Sequence, residues 1–148
     1  MKTKAIYFDM DGTIADLYGV SDWLSKLRSC NPAPYKEAKP LLKMQPLARA
    51  LNSLQKKGYT IGIISWLSKE PSPEYDEQVT QAKEAWLKTH MKSVHFDEVA
   101  IVAHGTPKQQ AVSCPFGILF DDEEKNRENW FGKAYEPKDI MEILRALA

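Results

Sequence analysis

Long apolar runs, cysteine and surplus charge are all scarce in this chain of 148 residues. Lysine and arginine together number 20, as do aspartate and glutamate, so no overall field draws the chain onto nucleic acid or an anionic membrane. No apolar segment approaches the roughly 20 residues of a membrane-spanning helix, and the opening MKTKAIYF shows no cleavable signal. We therefore expect a cytoplasmic chain without a membrane partner.

The scarcity of cysteine excludes two kinds of site. Cys30 and Cys114 are the only cysteines, and they lack the C-x-x-C spacing and the nearby histidine of a zinc site or an activated thiol. We expect both to be ordinary reduced thiols.

Short apolar or β-branched runs alternate with segments of helical period. The clearest helix lies between Pro46 and Gly58, and two more are expected over 74–91 and behind Pro137. Because the strand runs are continuously apolar, we expect a parallel sheet covered on both faces. The fold class is α/β, a three-layer α/β/α sandwich with a doubly wound parallel sheet, in a single domain over 1–148. The expected strands are residues 5–8, 60–64, 99–102, 117–120 and 133–135.

Residues 18–45 interrupt this alternation between the first strand and its helix. They contain three prolines and one short helix candidate at 21–28. We expect this segment to form a small lid or minimal cap. A second loop, 65–77, follows the second strand, where loops of such sheets commonly contact a ligand.

Two aspartates end the first expected strand, in the sequence KAIYFDMDGTIADL. Asp9 and Asp11 lie at the carboxyl end of that strand, where doubly wound sheets bind ligands. Gly12 allows a tight bend, so exposed N–H groups around Gly12 and Thr13 could face an anion. Adjacent carboxylates repel unless a cation or a shared proton lies between them, and Mg²⁺ prefers such oxygen ligands. A plain Asx-type turn is the alternative.

The other expected strands end in polar groups as well. The second ends at Ser65, the fourth ends at Asp121 and Asp122 with Asn126 beyond them, and Lys108 follows the third. Carboxylates, a hydroxyl and an amine gathered at one edge of a sheet supply what phosphoryl transfer needs: metal ligands, a nucleophile, a proton donor and groups that bind phosphoryl oxygens.

These residues resemble, in order, the four motifs of the haloacid dehalogenase-like superfamily of phosphohydrolases. The matching motifs are YFDMDGT, IGIIS, Lys108 and LFDDEEKN. The resemblance implies a Rossmann-like core, a Mg²⁺ cofactor and hydrolysis of a phosphate monoester through an aspartyl-phosphate. The compact insertion and the DDEEKN motif are also similar to the 5'(3')-deoxyribonucleotidase-like branch.

The resemblance also implies a role for each matched residue. Asp9 is the expected nucleophile, and Asp11 the acid that protonates the leaving alcohol and the base that then activates water. Ser65 and Lys108 are expected to bind the phosphoryl oxygens. Lys125, inside the fourth motif, competes with Lys108 for that role.

The metal ligands implied by the resemblance come from the first and fourth motifs. Mg²⁺ is expected to be held by Asp9, the main-chain carbonyl of Asp11 and Asp122. Asp122 is preferred because it lies four residues before Asn126, and Asp121 is then an auxiliary ligand.

Other residues receive weaker expectations. Asp16 is expected to be a helix-end or loop carboxylate rather than a metal ligand. Trp66 could stack on a planar part of the substrate. The remaining tryptophans are expected to pack on helix faces: Trp23, Trp86 and Trp130.

Several functions stay open at this point. The leading expectation is a phosphatase for a phosphorylated small molecule or nucleotide, with nucleic acid a partner only through a terminal phosphate. A non-catalytic regulatory module that binds Mg²⁺ and phosphate on the same fold is the alternative. A receiver-type phosphoacceptor domain is disfavoured, because its central strand ends in an aspartate whereas the second and third strands here end in Ser65 and Ala103.

Overall fold

A parallel five-stranded sheet forms the centre of the computed structural model, which describes residues 2–70 and 72–148. Pro71, in the expected loop 65–77, lies outside the described residues. The strands in chain order are β1 Ala5–Phe8, β2 Ala15–Asp16, β3 Lys39–Pro40, β4 Thr60–Trp66, β5 Glu98–Val102, β6 Ile118–Phe120 and β7 Lys133–Tyr135.

Helices fill most of the connections between these strands. They are α1 Trp23–Arg28, α2 Ala33–Glu37, α3 Met44–Lys56, α4 Pro73–His90, α5 Glu124–Asn129 and α6 Ile140–Leu147. Short 3₁₀ turns occupy Leu17–Gly19, Lys108–Gln110 and Pro137–Asp139.

The order of the main sheet is β5-β4-β1-β6-β7, and all its strand pairs are parallel. From β1 the chain moves outward to β4 and β5, then returns to the other side of β1 for β6 and β7. This is the doubly wound order, and it confirms the predicted α/β fold class. Strand β1 is central, so its carboxyl end lies where the winding direction reverses.

The side chains of β1 show why the sheet is covered on both faces. Ile6 and Phe8 pack in a large cluster with helices α3, α4 and α6, whereas Ala5 and Tyr7 pack on the opposite face. All four are fully buried. The opposite face is covered more thinly, by the segment around Cys114 and by residues at the end of α5.

Helix α3 follows from its apolar period, with small differences at its ends. It begins at Met44, two residues before the predicted Pro46, because proline is tolerated in the first turn of a helix. Gly58 has φ of 99°, the left-handed conformation that ends helices and that glycine adopts readily. Leu47, Leu51 and Leu54 all face the sheet and are buried.

The insertion 18–45 forms more structure than the one short helix expected. It contains α1 and α2, and its end contributes β3, which pairs antiparallel with β2. Hydrogen bonds fasten it to α4: Tyr75 Oη donates to the Asn31 carbonyl at 3.1 Å and Trp86 Nε1 donates to the Ala38 carbonyl at 2.8 Å. The insertion is therefore fixed along α4, and its role as a cap stays a prediction.

Two expectations about chemistry and location can be compared with the fold. Cys30 is exposed and Cys114 is buried, and both are free thiols. None of the described helices combines the length and the apolar character that crossing a membrane requires. The cytoplasmic location stays a prediction.

The buried face of α3 yields a first test. Leu51→Ala is expected to lower the free energy of unfolding by about 2–5 kcal/mol, because it leaves a cavity against the sheet. Leu41→Ala, at a position that is 44% exposed, is the matched control and is expected to cost less than about 1 kcal/mol. Urea denaturation of both variants measures the difference, and equal losses would contradict the placement of α3.

Candidate active site

The acidic residues of the first and fourth motifs meet between two neighbouring strands. Asp9 follows β1 and Asp121 follows β6, and the Asp9 amide donates to the Phe120 carbonyl at 2.9 Å, which continues the ladder between the two strands. Parallel strands place their carboxyl ends at one edge, and the winding reversal opens a crevice there. The sequence therefore brings both motifs to the usual ligand site of this fold.

Three carboxyl groups crowd this crevice. Oxygens of Asp9, Asp121 and Asp122 all lie within 4.8 Å of one another. Burial, and then the charge of Asp9, raise the pKa of Asp121 to about 6 and that of Asp122 to about 8. A shared proton or a cation must therefore offset the repulsion in this cluster.

Lys108 provides part of that compensation. Its Nζ donates to Asp9 Oδ1 at 2.9 Å and to Asp121 Oδ2 at 2.6 Å, and the residue is only 3% exposed. Burial disfavours the charged amine, but the carboxylates of Asp9 and Asp121 outweigh it and raise the pKa of Lys108 above its ordinary range. Two of the three N–H groups are occupied, which leaves one for a phosphoryl oxygen. The competing Lys125 is exposed on α5.

The two aspartates of the fourth motif are held differently. Asp121 is fully buried and accepts hydrogen bonds from Lys108, from Asn126 Nδ2 at 3.2 Å and from the Glu123 amide at 2.9 Å. Both of its oxygens are thus engaged within the protein. Asp122 lines the cavity above the cluster, where its carboxyl group can reach a ligand.

The bend at Gly12 is required by this arrangement. Gly12 has φ of 80°, and a Cβ there would overlap the carboxyl group of Asp122 and the ring of Tyr18. The expectation of N–H groups that face an anion is wrong for the amides of Gly12 and Thr13 themselves. The Gly12 amide donates to the Ala15 carbonyl and the Thr13 amide to the Met10 carbonyl, because the tight turn uses them itself. Thr13 contributes instead through its hydroxyl, which donates to Asp9 Oδ2 at 3.0 Å.

Asp11 lies apart from the carboxylate cluster and is paired with a residue that the sequence analysis missed. Lys83, on α4, donates to Asp11 Oδ2 at 2.9 Å. Burial raises the pKa of Asp11, with the Lys83 ammonium opposing that shift and the Asp9 charge adding to it. The signal for Lys83 was its position in the helical period of α4, on the same face as the buried Val79 and Trp86.

Ser65 lies at the end of the second predicted strand, but β4 continues one residue past it to Trp66. The Ser65 side chain is fully buried, and its Oγ accepts a hydrogen bond from Lys83 Nζ at 2.7 Å. Because Lys83 Nζ donates to both Ser65 Oγ and Asp11 Oδ2, these two side chains lie near each other. Its predicted role in binding a phosphoryl oxygen stays a prediction.

Aromatic side chains form the upper walls of a cavity of about 400 Å³ above the acidic cluster. On one side Trp66 packs against His104 with ring centroids 4.8 Å apart, and Trp66 Nε1 is fixed by the Thr106 carbonyl at 2.8 Å. On the other side Tyr18 and Trp23 of the insertion meet edge to face at 4.8 Å.

Three of the weaker expectations can now be judged. Trp86 is buried on the inner face of α4 as predicted. Trp130 is also buried, but it follows the end of α5 and packs against Tyr7 of the sheet. Trp23 is partly exposed and lines the cavity, so its assignment to helix packing is wrong. It begins α1, and the first turn of that short helix faces the cavity rather than the core. Asp16 accepts a hydrogen bond from the Gly19 amide at 3.0 Å, which confirms it as a capping residue.

Comparison with known proteins adds one informative similarity. No protein-family model matches the chain, and no curated protein matches it either. Among solved structures, the D,D-heptose 1,7-bisphosphate phosphatase from Burkholderia thailandensis matches 85% of this chain and 70% of its own, with 14% sequence identity and a TM-score of 0.50. The chain shares the fold of that phosphatase. At this identity the similarity concerns the fold alone.

A second solved structure is more distant. The HAD domain of an effector protein from Legionella pneumophila matches 90% of this chain and 84% of its own, at 15% identity and a TM-score of 0.40. That score is too low to support a conclusion.

The raised pKa of Asp122 predicts how stability depends on pH without metal. The group takes up its proton near pH 3.8 when unfolded and near pH 8 when folded, so the folded chain binds more protons across that window. Stability is therefore expected to fall as pH rises through it. Thermal denaturation in EDTA at several pH values measures this.

Two variants define the outcome of that experiment. Asp122→Asn is expected to flatten the slope, whereas Glu128→Gln, which removes an exposed carboxyl group beyond the cluster, keeps it. A melting temperature that rises with pH, or a slope unchanged in Asp122→Asn, would contradict the crowding of these carboxyl groups.

Proposed function

We propose that this chain is a Mg²⁺-dependent phosphomonoesterase that works through an aspartyl-phosphate formed on Asp9. The observation that carries the proposal is the Asp9 carboxylate at the winding reversal, held by Lys108 at 2.9 Å and bordered by two further carboxyl groups. In this position the Asp9 carboxylate would act as the nucleophile, with a cation site and the Lys108 amine next to it. The fold shared with a phosphatase supports this.

The charge balance of the site fits a divalent cation. Four carboxylates, those of Asp9, Asp11, Asp121 and Asp122, face the two ammonium groups of Lys83 and Lys108, which leaves two negative charges if all are ionised. Carboxylate oxygens are hard ligands of the kind that Mg²⁺ prefers.

The residues that would hold Mg²⁺ are those that line the cavity without being completely buried, and Asp121, which is 0% exposed, lies beneath them. They are Asp9, Asp122 and the main-chain carbonyl of Asp11, with Asp121 as an auxiliary group beneath them. When bound, the ion supplies positive charge that offsets the charge of the phosphoryl group. Lys108 adds an N–H to the same oxygens.

The proposed reaction has two steps. An Asp9 oxygen attacks phosphorus, the bond from phosphorus to the alcohol oxygen breaks, and that oxygen takes a proton from Asp11. Asp11 then accepts a proton from water, whose oxygen attacks the aspartyl-phosphate and releases inorganic phosphate and the Asp9 carboxylate. Burial raises the pKa of Asp11, which favours the protonated form that the first step requires.

The cavity walls support a substrate with a planar group next to the phosphate. Trp66 and His104 on one side and Tyr18 and Trp23 on the other present aromatic faces above the acidic cluster. A nucleotide, or the phosphorylated end of a nucleic acid, has both parts. We therefore favour a nucleotide or a nucleic-acid terminal phosphate as the substrate.

Hydrolysis assays test the proposed reaction. The purified chain is expected to release phosphate from p-nitrophenyl phosphate and nucleoside monophosphates with Mg²⁺ and to lose this activity in EDTA. Asp9→Asn is expected to abolish turnover, because the nucleophile is gone. Asp16→Asn is the matched control, since asparagine caps a helix as well as aspartate does, and it keeps activity.

Two outcomes would contradict the proposal, the first its intermediate and the second the phosphatase itself. Full activity of Asp9→Asn would exclude the aspartyl-phosphate. Tight Mg²⁺ binding by calorimetry with no turnover over a broad panel of phosphate esters would favour the non-catalytic regulatory module instead.

Trp66 provides a test of the substrate class. Trp66→Ala is expected to raise KM for a nucleoside monophosphate by about 5- to 150-fold, because stacking of a base on an aromatic ring contributes about 1–3 kcal/mol. KM for glycerol phosphate, which has no planar group, is expected to change little. Trp66→Phe keeps an aromatic face but loses the bond to Thr106, and it should retain most of the nucleotide affinity. Equal effects on both substrates would contradict stacking.

A further inference from the structure

Lys83 is a charged side chain in the middle of a buried helix face. It is 1% exposed and lies on the face of α4 that also buries Val79, Trp86 and Leu87. Removing an ammonium group from water costs several kcal/mol, and an apolar residue of similar volume commonly serves stability as well or better. Stability alone is therefore a poor reason for a lysine at this position.

The contacts of Lys83 use its whole donor capacity. The ammonium group has three N–H donors and no acceptor. They are donated to Asp11 Oδ2 at 2.9 Å, Ser65 Oγ at 2.7 Å and the Trp66 carbonyl at 2.6 Å. The ring of Tyr35, from the insertion, lies against the same ammonium group at 5.1 Å.

Lys83 and Lys108 consequently differ in what they can do. Lys108 lines the cavity and has one N–H left for a ligand, whereas Lys83 has none left and is absent from the described residues that line the cavity. Lys83 therefore cannot bind the phosphate while it keeps these contacts. Any effect of Lys83 on the reaction passes through the groups that it holds.

Asp11 is the group through which this effect would be largest. Its side chain is 18% exposed and reaches the cavity, and the bond from Lys83 fixes Oδ2. Oδ1 is then the oxygen left to face the substrate. Without this bond the carboxyl group could rotate away from the leaving oxygen. Lys83 also accounts for the orientation of Ser65, since Oγ accepts from it and keeps its own proton for another acceptor.

We propose that Lys83 is a positioning residue that holds the Asp11 carboxyl group, the acid of the proposed phosphatase reaction, in reach of the leaving oxygen. The inference rests on the proposed function and adds a residue outside the four motifs. Proton transfer matters most when the leaving group is a strongly basic alkoxide and little when it is p-nitrophenolate. Loss of Lys83 should therefore be selective for the leaving group.

The experiment compares an alkyl phosphate with p-nitrophenyl phosphate in single and double variants. Lys83→Met is expected to lower kcat for the alkyl ester by about 100-fold and for p-nitrophenyl phosphate by less than about tenfold. In the Asp11→Asn background, Lys83→Met should lower kcat for the alkyl ester no more than it does for p-nitrophenyl phosphate, because the group that it positions is already disabled.

A matched variant and a folding check separate this role from general damage. Lys88→Met removes a lysine from the exposed side of the same helix and should change both rates by less than about twofold. Circular dichroism establishes that each variant is folded. If Lys83→Met fails to fold, Lys83→Gln, which keeps a shorter polar side chain, replaces it and should show the same selectivity.

The outcomes distinguish this inference from the proposed function. A wild-type chain that hydrolyses neither ester overturns the phosphatase, and the role of Lys83 with it. The positioning role alone is overturned if the wild type is active and Lys83→Met lowers both activities equally. It is also overturned if, on the alkyl ester, the double variant shows the full product of the losses in kcat caused by Lys83→Met and by Asp11→Asn. Selective and non-multiplying losses support it.

Discussion

Repulsion among carboxyl groups at the crevice between β1 and β6 is the constraint on which the rest of the site depends. The oxygens of Asp9, Asp121 and Asp122 lie within 4.8 Å of one another, and burial, followed by the charge of Asp9, raises the pKa of Asp122 to about 8. The carboxyl groups stay close together despite this repulsion, because Asp9 and Asp121 directly follow the neighbouring strands β1 and β6. The same crowding of negative charge favours the binding of a cation. The arrangement that lowers the stability of the fold is therefore the one that would bind the ion.

Two buried lysines divide the aspartates of this edge into two groups. Lys108 reaches in from the short 3₁₀ turn after β5 and ties Asp9 to Asp121. Lys83 reaches in from α4 and ties Asp11 to the end of β4. The two aspartates of the first motif are thereby separated in their partners although they lie two residues apart. Asp9 lies in the acidic cluster, and Asp11 lies beside the end of β4.

The sequence predicted the fold class and the meeting of the acidic motifs, because both follow from local rules. Apolar runs such as the one that ends at Phe8 indicate buried parallel strands, and parallel strands bring Asp9 and Asp121 to one edge. The helical period of α4 indicates that Lys83 is buried, but Lys83 does not follow a strand, and no local rule pairs it with Asp11, which lies 72 residues away. The turn amides of Gly12 and Thr13 were assigned to a ligand because the sequence does not show that the carbonyls of Met10 and Ala15 would take them.

The hydrogen bond from the Asp9 amide to the Phe120 carbonyl has a consequence for motion. It makes the backbone of Asp9 a rung of the central ladder, so that residue can open to solvent only when β1 and β6 separate, in an event close to global unfolding. The aromatic walls contributed by Tyr18 and Trp23 belong to short elements outside the main sheet, and α1, which begins at Trp23, buries none of its residues. Elements with few buried contacts open at a lower free energy than core strands do. The site thus joins a floor that belongs to the core ladder to a wall that lies outside it, so the atoms that would react are held more rigidly than the aromatic rings around them.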